Sequence, residues 1–161
     1  MTGLLTKDDL GVLEQVLPKS NGDAGVRIFG NSQLNDWLCS GPVSGAVRSR
    51  MPGAAAVRAI LFDKSTDRNW SLGWHQDRMI AVRQRTVAPG FDHWTVKNDI
   101  LHVEPPIGIL EGMITMRIHL DPVGEDNAPL LVAPGSHQFG RIREQDIDAV
   151  VQRCGRLSCL A

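Results

Sequence analysis

Hydrophobic and polar positions follow a helical period near both ends of the chain and a strand-like period in between. Residues 6–17 carry an N-cap threonine, acids in the first turn and apolar residues at helical spacing, which predicts a first helix. Asn31 predicts the cap of a second helix, SQLNDWLCS, that ends at Gly41. Residues 143–154 predict a third helix, with Gly155 as its C-cap.

The middle of the chain predicts β-structure. Short apolar or alternating runs predict strands over residues 55–62, 70–75, 79–82, 113–120, 130–133 and 157–161. The alternation is cleanest in residues 113–120, where Arg117 lies on the polar face. Residues 83–106 contain several proline and turn dipeptides, so this segment is predicted to be a long irregular loop.

Composition narrows the class of protein. The chain has 161 residues and a net charge of −1, which predicts one globular domain and excludes the basic surface of a dedicated nucleic-acid binder. Three cysteines, an odd number, favour a reducing compartment, and no apolar run is long enough for a membrane span. We expect a cytoplasmic single domain over residues 1–161, mainly helical over 1–54, with the sheet core over 55–161.

The strongest chemical signal is the run Trp74-His75-Gln76-Asp77. Residues two apart on an extended backbone point to the same side, so His75 and Asp77 are expected within about 5 Å of each other on the concave side of the sheet. An imidazole nitrogen and a carboxylate oxygen at that separation can share one metal ion. An H-x-D pair also occurs by chance, so a surface histidine beside a surface aspartate remains the alternative.

Three further runs accompany this motif. Between residues 57 and 161 the order along the chain is ILFDK, then LGWHQD, which contains the motif, then MRIHLD and DNAPLLVAPGSH. Together they resemble the phytanoyl-CoA dioxygenase family of Fe(II)- and 2-oxoglutarate-dependent oxygenases. The resemblance implies His75 and Asp77 as two of three iron ligands, with Fe(II) as the metal and 2-oxoglutarate as cosubstrate. It also implies a mainly β, α+β fold: a double-stranded β-helix (jelly roll) with helices outside. The Asp77 carboxylate implies hydroxylation of a small molecule, since related halogenases leave that coordination position to chloride.

The sequence departs from the family pattern in its last part. The family's third ligand is a distal histidine beyond the helix that follows the PGSH turn, and an arginine after it binds the far carboxylate of 2-oxoglutarate. None of the five histidines stands there, and His137 lies in the PGSH turn itself. We therefore expect a C-terminally truncated oxygenase domain with an incomplete sheet and little turnover. Ala128 also replaces the family's usual glycine, which changes only a turn.

Two residues are candidates for contacting 2-oxoglutarate. A guanidinium on the polar face of residues 113–120 can bind a carboxylate through two hydrogen bonds, and the resemblance implies a cosubstrate contact for Arg117. The alternative is an ion pair with a structural acid such as Asp121 or Glu104. Ile60 resembles a position that walls the same pocket, and its alternative is plain core packing.

Other functions remain open at this stage. The second hypothesis is an inactive oxygenase fragment or a non-catalytic jelly-roll binding module, and a third is a cupin-like metal site completed by His119 or His137. Arg78, Arg83 and Arg85 are expected to form a solvated basic edge, with attraction of an anionic substrate as the alternative. The substrate and the oligomeric state cannot be predicted from the sequence.

Overall fold

The computed structural model describes residues 3–19, 25–64, 72–97 and 99–160. The chain divides into two compact units. The first unit comprises residues 1–70 and 114–122, and the second comprises residues 71–113 and 123–161. Each unit is built from short helices and antiparallel strands.

The first unit begins with two capped helices, as predicted. Helix α1 (Lys7–Val16) starts with a capping box, in which Thr6 and Asp9 satisfy each other's backbone N–H groups. Asn31 caps helix α2 (Ser32–Ser40), because its side-chain oxygen accepts from the Leu34 N–H at 2.9 Å. The Asn31 amide also donates to the Val16 carbonyl at 2.6 Å, which connects the end of α1 to the start of α2.

The rest of the first unit contains two elements that the sequence pattern did not predict. Helix α3 (Pro42–Arg48) begins directly after Gly41, because a proline at the first helical position needs no hydrogen bond for its nitrogen. Strand β1 (Val26–Ile28) pairs antiparallel with β2 (Ala59–Leu61), which lies within the strand predicted over 55–62.

The second unit corrects the predicted loop over residues 83–106. After the predicted strand β3 (Ile80–Val82), the chain forms β4 (Asp92–Lys97) and β5 (Ile100–Glu104). The three strands form an antiparallel sheet in the order β3-β5-β4. The periodicity is hard to read because the pairing of β4 with β5 is irregular near its start. A register shift follows Asp92, and His93 has a φ of 53°.

The strand predicted over residues 113–120 is also wrong. Helix α4 (Ile107–Glu111) precedes this segment, and residues 113–119 have neither helical nor strand structure. A β-strand requires a hydrogen-bonded neighbour, and among the described residues no strand pairs with this segment. Arg117 therefore does not lie on the polar face of a strand.

The last part of the chain agrees with its prediction. Strand β6 (Leu130–Val132) pairs antiparallel with β7 (Leu157–Cys159), and helix α5 (Ile147–Cys154) lies between them in the chain. Gly155 ends α5 with a φ of 75°. A 3-10 turn over Ser136–Phe139 follows β6, at the PGSH segment.

The fold is therefore a mixture of helices and antiparallel sheets. The described residues form sheets of two, three and two strands, and none of these sheets closes into a barrel. The jelly roll and the division at residue 55 remain predictions. None of the described helices has the length and apolar character needed to cross a membrane.

Candidate metal centre

His75 and Asp77 lie side by side in the segment that leads into β3. The distance from His75 Nε2 to Asp77 Oδ1 is 4.0 Å, which is within the separation expected from the H-x-D spacing. Both side chains reach solvent, with exposed fractions of 54% and 89%. Their role as metal ligands, and their position on the concave side of a jelly roll, stay predictions.

The ring of His75 is held in a defined orientation. Its Nδ1 lies 2.8 Å from the Gly73 carbonyl oxygen, which can only accept a hydrogen bond. Nδ1 therefore carries the proton in the neutral ring, and Nε2 keeps its lone pair on the side that faces Asp77. A backbone carbonyl that fixes the tautomer in this way is a common partner of metal-binding histidines.

The pair fits part of a ligand set for a divalent ion. Two donors at about 2.1 Å from one ion and at right angles to each other lie about 3 Å apart, so closing the 4.0 Å gap needs a shift of about 1 Å. Among the described residues, no group of three or more His, Cys, Asp or Glu side chains could hold a metal ion. Neither His119 nor His137 completes such a group. The described residues thus offer one nitrogen and one carboxylate.

The residue between the two candidate ligands is anchored to a distant part of the chain. Gln76 donates from Nε2 to the Gly140 carbonyl at 2.7 Å, and its Oε1 accepts from the Ile142 N–H at 3.0 Å. Both polar ends of the amide are therefore satisfied by backbone groups more than 60 positions away in sequence. The sequence offered no signal for this contact.

A buried carboxylate lies at the end of β5 and was missed as a site residue. Glu104 has only 9% of its side chain exposed. Arg141 Nη2 lies 2.9 Å from its Oε1, Arg78 Nε lies 3.8 Å from the same oxygen, and His93 Nε2 lies 3.7 Å from Oε2. Three basic groups from three segments thus surround one acid. Glu104 pairs with these groups rather than with Arg117, the partner considered from the sequence.

Of the arginines that follow the motif, Arg83 and Arg85 are exposed, as expected of a solvated basic edge, whereas Arg78 is not. Arg78 has 28% of its side chain exposed and faces Glu104. Arg85 lies over the ring of Trp94, with 5.4 Å from its guanidinium carbon to the ring centroid. Trp74 lies beneath Arg156 in the same way, at 5.8 Å. Trp70 lies outside the described residues.

The two candidate cosubstrate residues belong to the first unit. Ile60 is half-buried in β2, opposite Arg27 of β1. Arg117 is exposed. Burial lowers the pKa of His119, and the positive charge of Arg117 lowers it further. Burial also lowers the pKa of Lys64, and the positive charge of Arg117 lowers it further. His119 and Lys64 therefore both lie close enough to Arg117 for its charge to disfavour their own charged forms.

The chain matches the model of a known protein family. The family model described as phytanoyl-CoA dioxygenase (PhyH) matches residues 36–149, well over half of the chain, and this range includes His75, Asp77 and Glu104. This match places the chain among the oxygenases. The chain belongs to the phytanoyl-CoA dioxygenase family, as the resemblance of its motifs indicated. No curated protein and no solved structure matches it.

Proposed function

We propose that this chain provides part of the iron centre of an Fe(II)- and 2-oxoglutarate-dependent dioxygenase that hydroxylates a small molecule. The observation that carries the proposal is the His75–Asp77 pair, with 4.0 Å between its nearest donor atoms and its histidine tautomer set by Gly73. The family match supports the oxygenase class. When bound, Fe(II) supplies the activation of dioxygen, with 2-oxoglutarate as the source of electrons.

The chain's own residues have distinct roles in this proposal. His75 presents Nε2 as a neutral donor, and Asp77 supplies a negative charge that offsets part of the charge of the cation. The exposure of both side chains leaves room for further ligands. The carboxylate of Asp77 favours hydroxylation over halogenation, as the family resemblance implies. A jelly roll with outer helices remains the fold that we propose for this domain.

We further propose Arg117 and Ile60 as residues that contact 2-oxoglutarate. The carboxylates of this cosubstrate require positive partners, and Arg117 lies in a region where Lys64 and His119 both respond to its charge. Ile60 would contribute an apolar wall. An Arg117→Ala variant is expected to weaken 2-oxoglutarate binding, whereas Arg48→Ala, at an exposed arginine of α3, is expected to leave it unchanged.

The test of the proposal is Fe(II)-dependent conversion of 2-oxoglutarate to succinate by the 161-residue chain. Because two donors hold iron weakly, turnover should be low and should rise when free imidazole supplies a third nitrogen. His75→Ala and Asp77→Asn should remove the activity. His137→Ala, at an exposed histidine of the same unit, should not.

Two results would count against the proposal. Turnover that survives both His75→Ala and Asp77→Asn would place the chemistry elsewhere. Metal binding that depends on His75, with no succinate formed at any imidazole concentration, would contradict the oxygenase assignment and favour a non-catalytic binding module.

A further inference from the structure

The side chains of residues 75–78 alternate between exposed positions and positions that contact distant parts of the chain. The side chains of His75 and Asp77 are exposed and lie next to each other. The alternate residues make tertiary contacts instead: Gln76 bonds to the backbone of residues 140 and 142, and Arg78 faces Glu104. Asp77 therefore lies between two anchored side chains, and His75 directly precedes the first of them.

The anchors of this segment form one closed circuit. Gln76 bonds to Gly140 and Ile142, and the residue between these two, Arg141, reaches Glu104 at 2.9 Å. Glu104 in turn lies 3.8 Å from Arg78, two residues after Gln76. Every contact of the circuit lies within the second unit. The circuit fixes the backbone on both sides of Asp77.

One position of the circuit requires a special backbone conformation. Gly140 has a φ of 62° and a ψ of −138°, a region that residues with a Cβ rarely adopt. A Cβ added there would meet no atom within 4 Å, so the constraint is the backbone angle and not crowding. This conformation directs the Gly140 carbonyl toward the Gln76 amide.

We propose that Gln76 is a positioning residue, which fixes the direction of His75 and Asp77 through its two hydrogen bonds to residues 140 and 142. The Arg141–Glu104–Arg78 contacts hold the other side of the segment. This inference rests on the proposed function, because it assigns Gln76 a role at the same metal centre. Two exposed ligands on an unconstrained backbone would lose orientational freedom when an ion binds, which weakens binding. The circuit restricts this freedom before the ion binds, so less is lost on binding.

The experiment measures Co²⁺ binding to the 161-residue chain from the visible absorption of the bound ion. Gln76→Met keeps the length of the side chain and removes both hydrogen bonds. Its dissociation constant should rise about 10-fold, since loss of a group that orients metal ligands costs about 10- to 100-fold. Gln152→Met, at an exposed glutamine of α5, should leave the affinity unchanged. The absorption of the saturated Gln76→Met protein should also shift, because the donors are held differently; a purely structural role would leave that spectrum as it was.

A second pair of variants separates positioning from general destabilisation. Gly140→Ala and Gly155→Ala place alanine at φ values of 62° and 75°, with open space around the new Cβ in both cases. The two should lower the thermal midpoint alike, but only Gly140→Ala should weaken Co²⁺ binding. Combining Gly140→Ala with Gln76→Met should weaken binding no more than Gln76→Met alone, because the Gly140 carbonyl acts through the glutamine.

The outcomes distinguish this inference from the proposed function. If His75→Ala leaves Co²⁺ binding intact, the metal centre is misplaced and both proposals fail. If His75→Ala abolishes binding while Gln76→Met binds like the parent chain, only the positioning role is overturned. The positioning role would also be overturned if the dissociation constant of the double variant rose by the product of the two single increases.

Discussion

Replacing Glu104 with glutamine keeps the shape of a buried side chain and removes its charge. The main loss is the ion pair with Arg141, whose Nη2 lies 2.9 Å from Glu104 Oε1. Since Arg141 is 54% exposed while the carboxylate is 9% exposed, this pair contributes about 1–1.5 kcal/mol, slightly above the range of fully exposed pairs. Arg78 is partly exposed and lies 3.8 Å away, so it adds about 0.5 kcal/mol. We expect Glu104→Gln to lower the free energy of unfolding by about 2 kcal/mol.

The effect should appear first in the sheet that carries Glu104. Urea unfolding followed by circular dichroism gives the free energy, and hydrogen exchange of the β5 amides reports the second unit on its own. Glu125→Gln, at an exposed acid of the same unit, is the matched control and should change the stability little. Arg141→Ala should cost at least as much as Glu104→Gln, because it leaves the carboxylate buried without its nearest partner.

The reasoning fails if Glu104→Gln unfolds at the same urea concentration as the parent chain. It also fails if the loss disappears in 1 M salt. Arg141 is 54% exposed but the carboxylate is only 9% exposed, so salt should reduce the loss without removing it. A loss equal to that of Glu125→Gln would show that the charge of Glu104 has no special role.

Three further predictions concern single side chains. Burial and the charge of Arg117 lower the pKa of His119. Stability that depends on the neutral imidazole is therefore present above the ordinary histidine pKa of 6.5 and is lost as the pH falls below 6.5. In the His119→Gln variant, the thermal midpoint should vary less with pH below 6.5. Hydrogen bonds from Thr6 lower the pKa of Asp9, so stability present above 3.8 is lost as the pH falls through the lowered value, and Asp9→Asn should remove this acid dependence of helix content. His102 is buried, with Nδ1 bonded to the Ile100 carbonyl at 2.9 Å and Nε2 unpartnered among the described residues. Removing the unpartnered nitrogen gains about 1–3 kcal/mol and losing the other bond costs about 0.5–1.5 kcal/mol, so His102→Leu should raise the unfolding free energy by about 1 kcal/mol in urea titrations, and a loss would contradict this.

The helices could be predicted because their signals are local. A cap at Thr6 or Asn31 and the glycine at 155 act within a few residues, so the chain itself records where α1, α2 and α5 begin or end. The strands were harder to predict because a ladder depends on a partner elsewhere in the chain. Residues 113–120 alternate well yet form no strand, whereas β4 forms one despite the positive φ of His93.

The same division between local and distant signals applies to the candidate site. The spacing of His75 and Asp77 is enough to place two donors 4.0 Å apart, because that geometry follows from the direction of alternate side chains. The partners of Gln76 and Glu104 could not be read from spacing, since they come from residues that approach only in the folded unit. Glu104 also lies within the segment 83–106 that was predicted to be a loop, where burial of a carboxylate is not expected.

The spacing of the motif and the contacts from distant residues affect metal affinity in different ways. A motif of two exposed side chains supplies the donor types, but exposed donors on a free backbone hold an ion weakly because their orientation must be fixed on binding. The contacts that fix this orientation come from the buried Glu104 of β5 and from the part-buried backbone groups of residues 140 and 142. The strength of the site should therefore vary with substitutions far from His75 in sequence, and the Gly140→Ala and Glu104→Gln variants should change metal affinity although neither residue is a ligand. If both variants bind Co²⁺ with the affinity of the parent chain, the spacing of the motif alone determines the site.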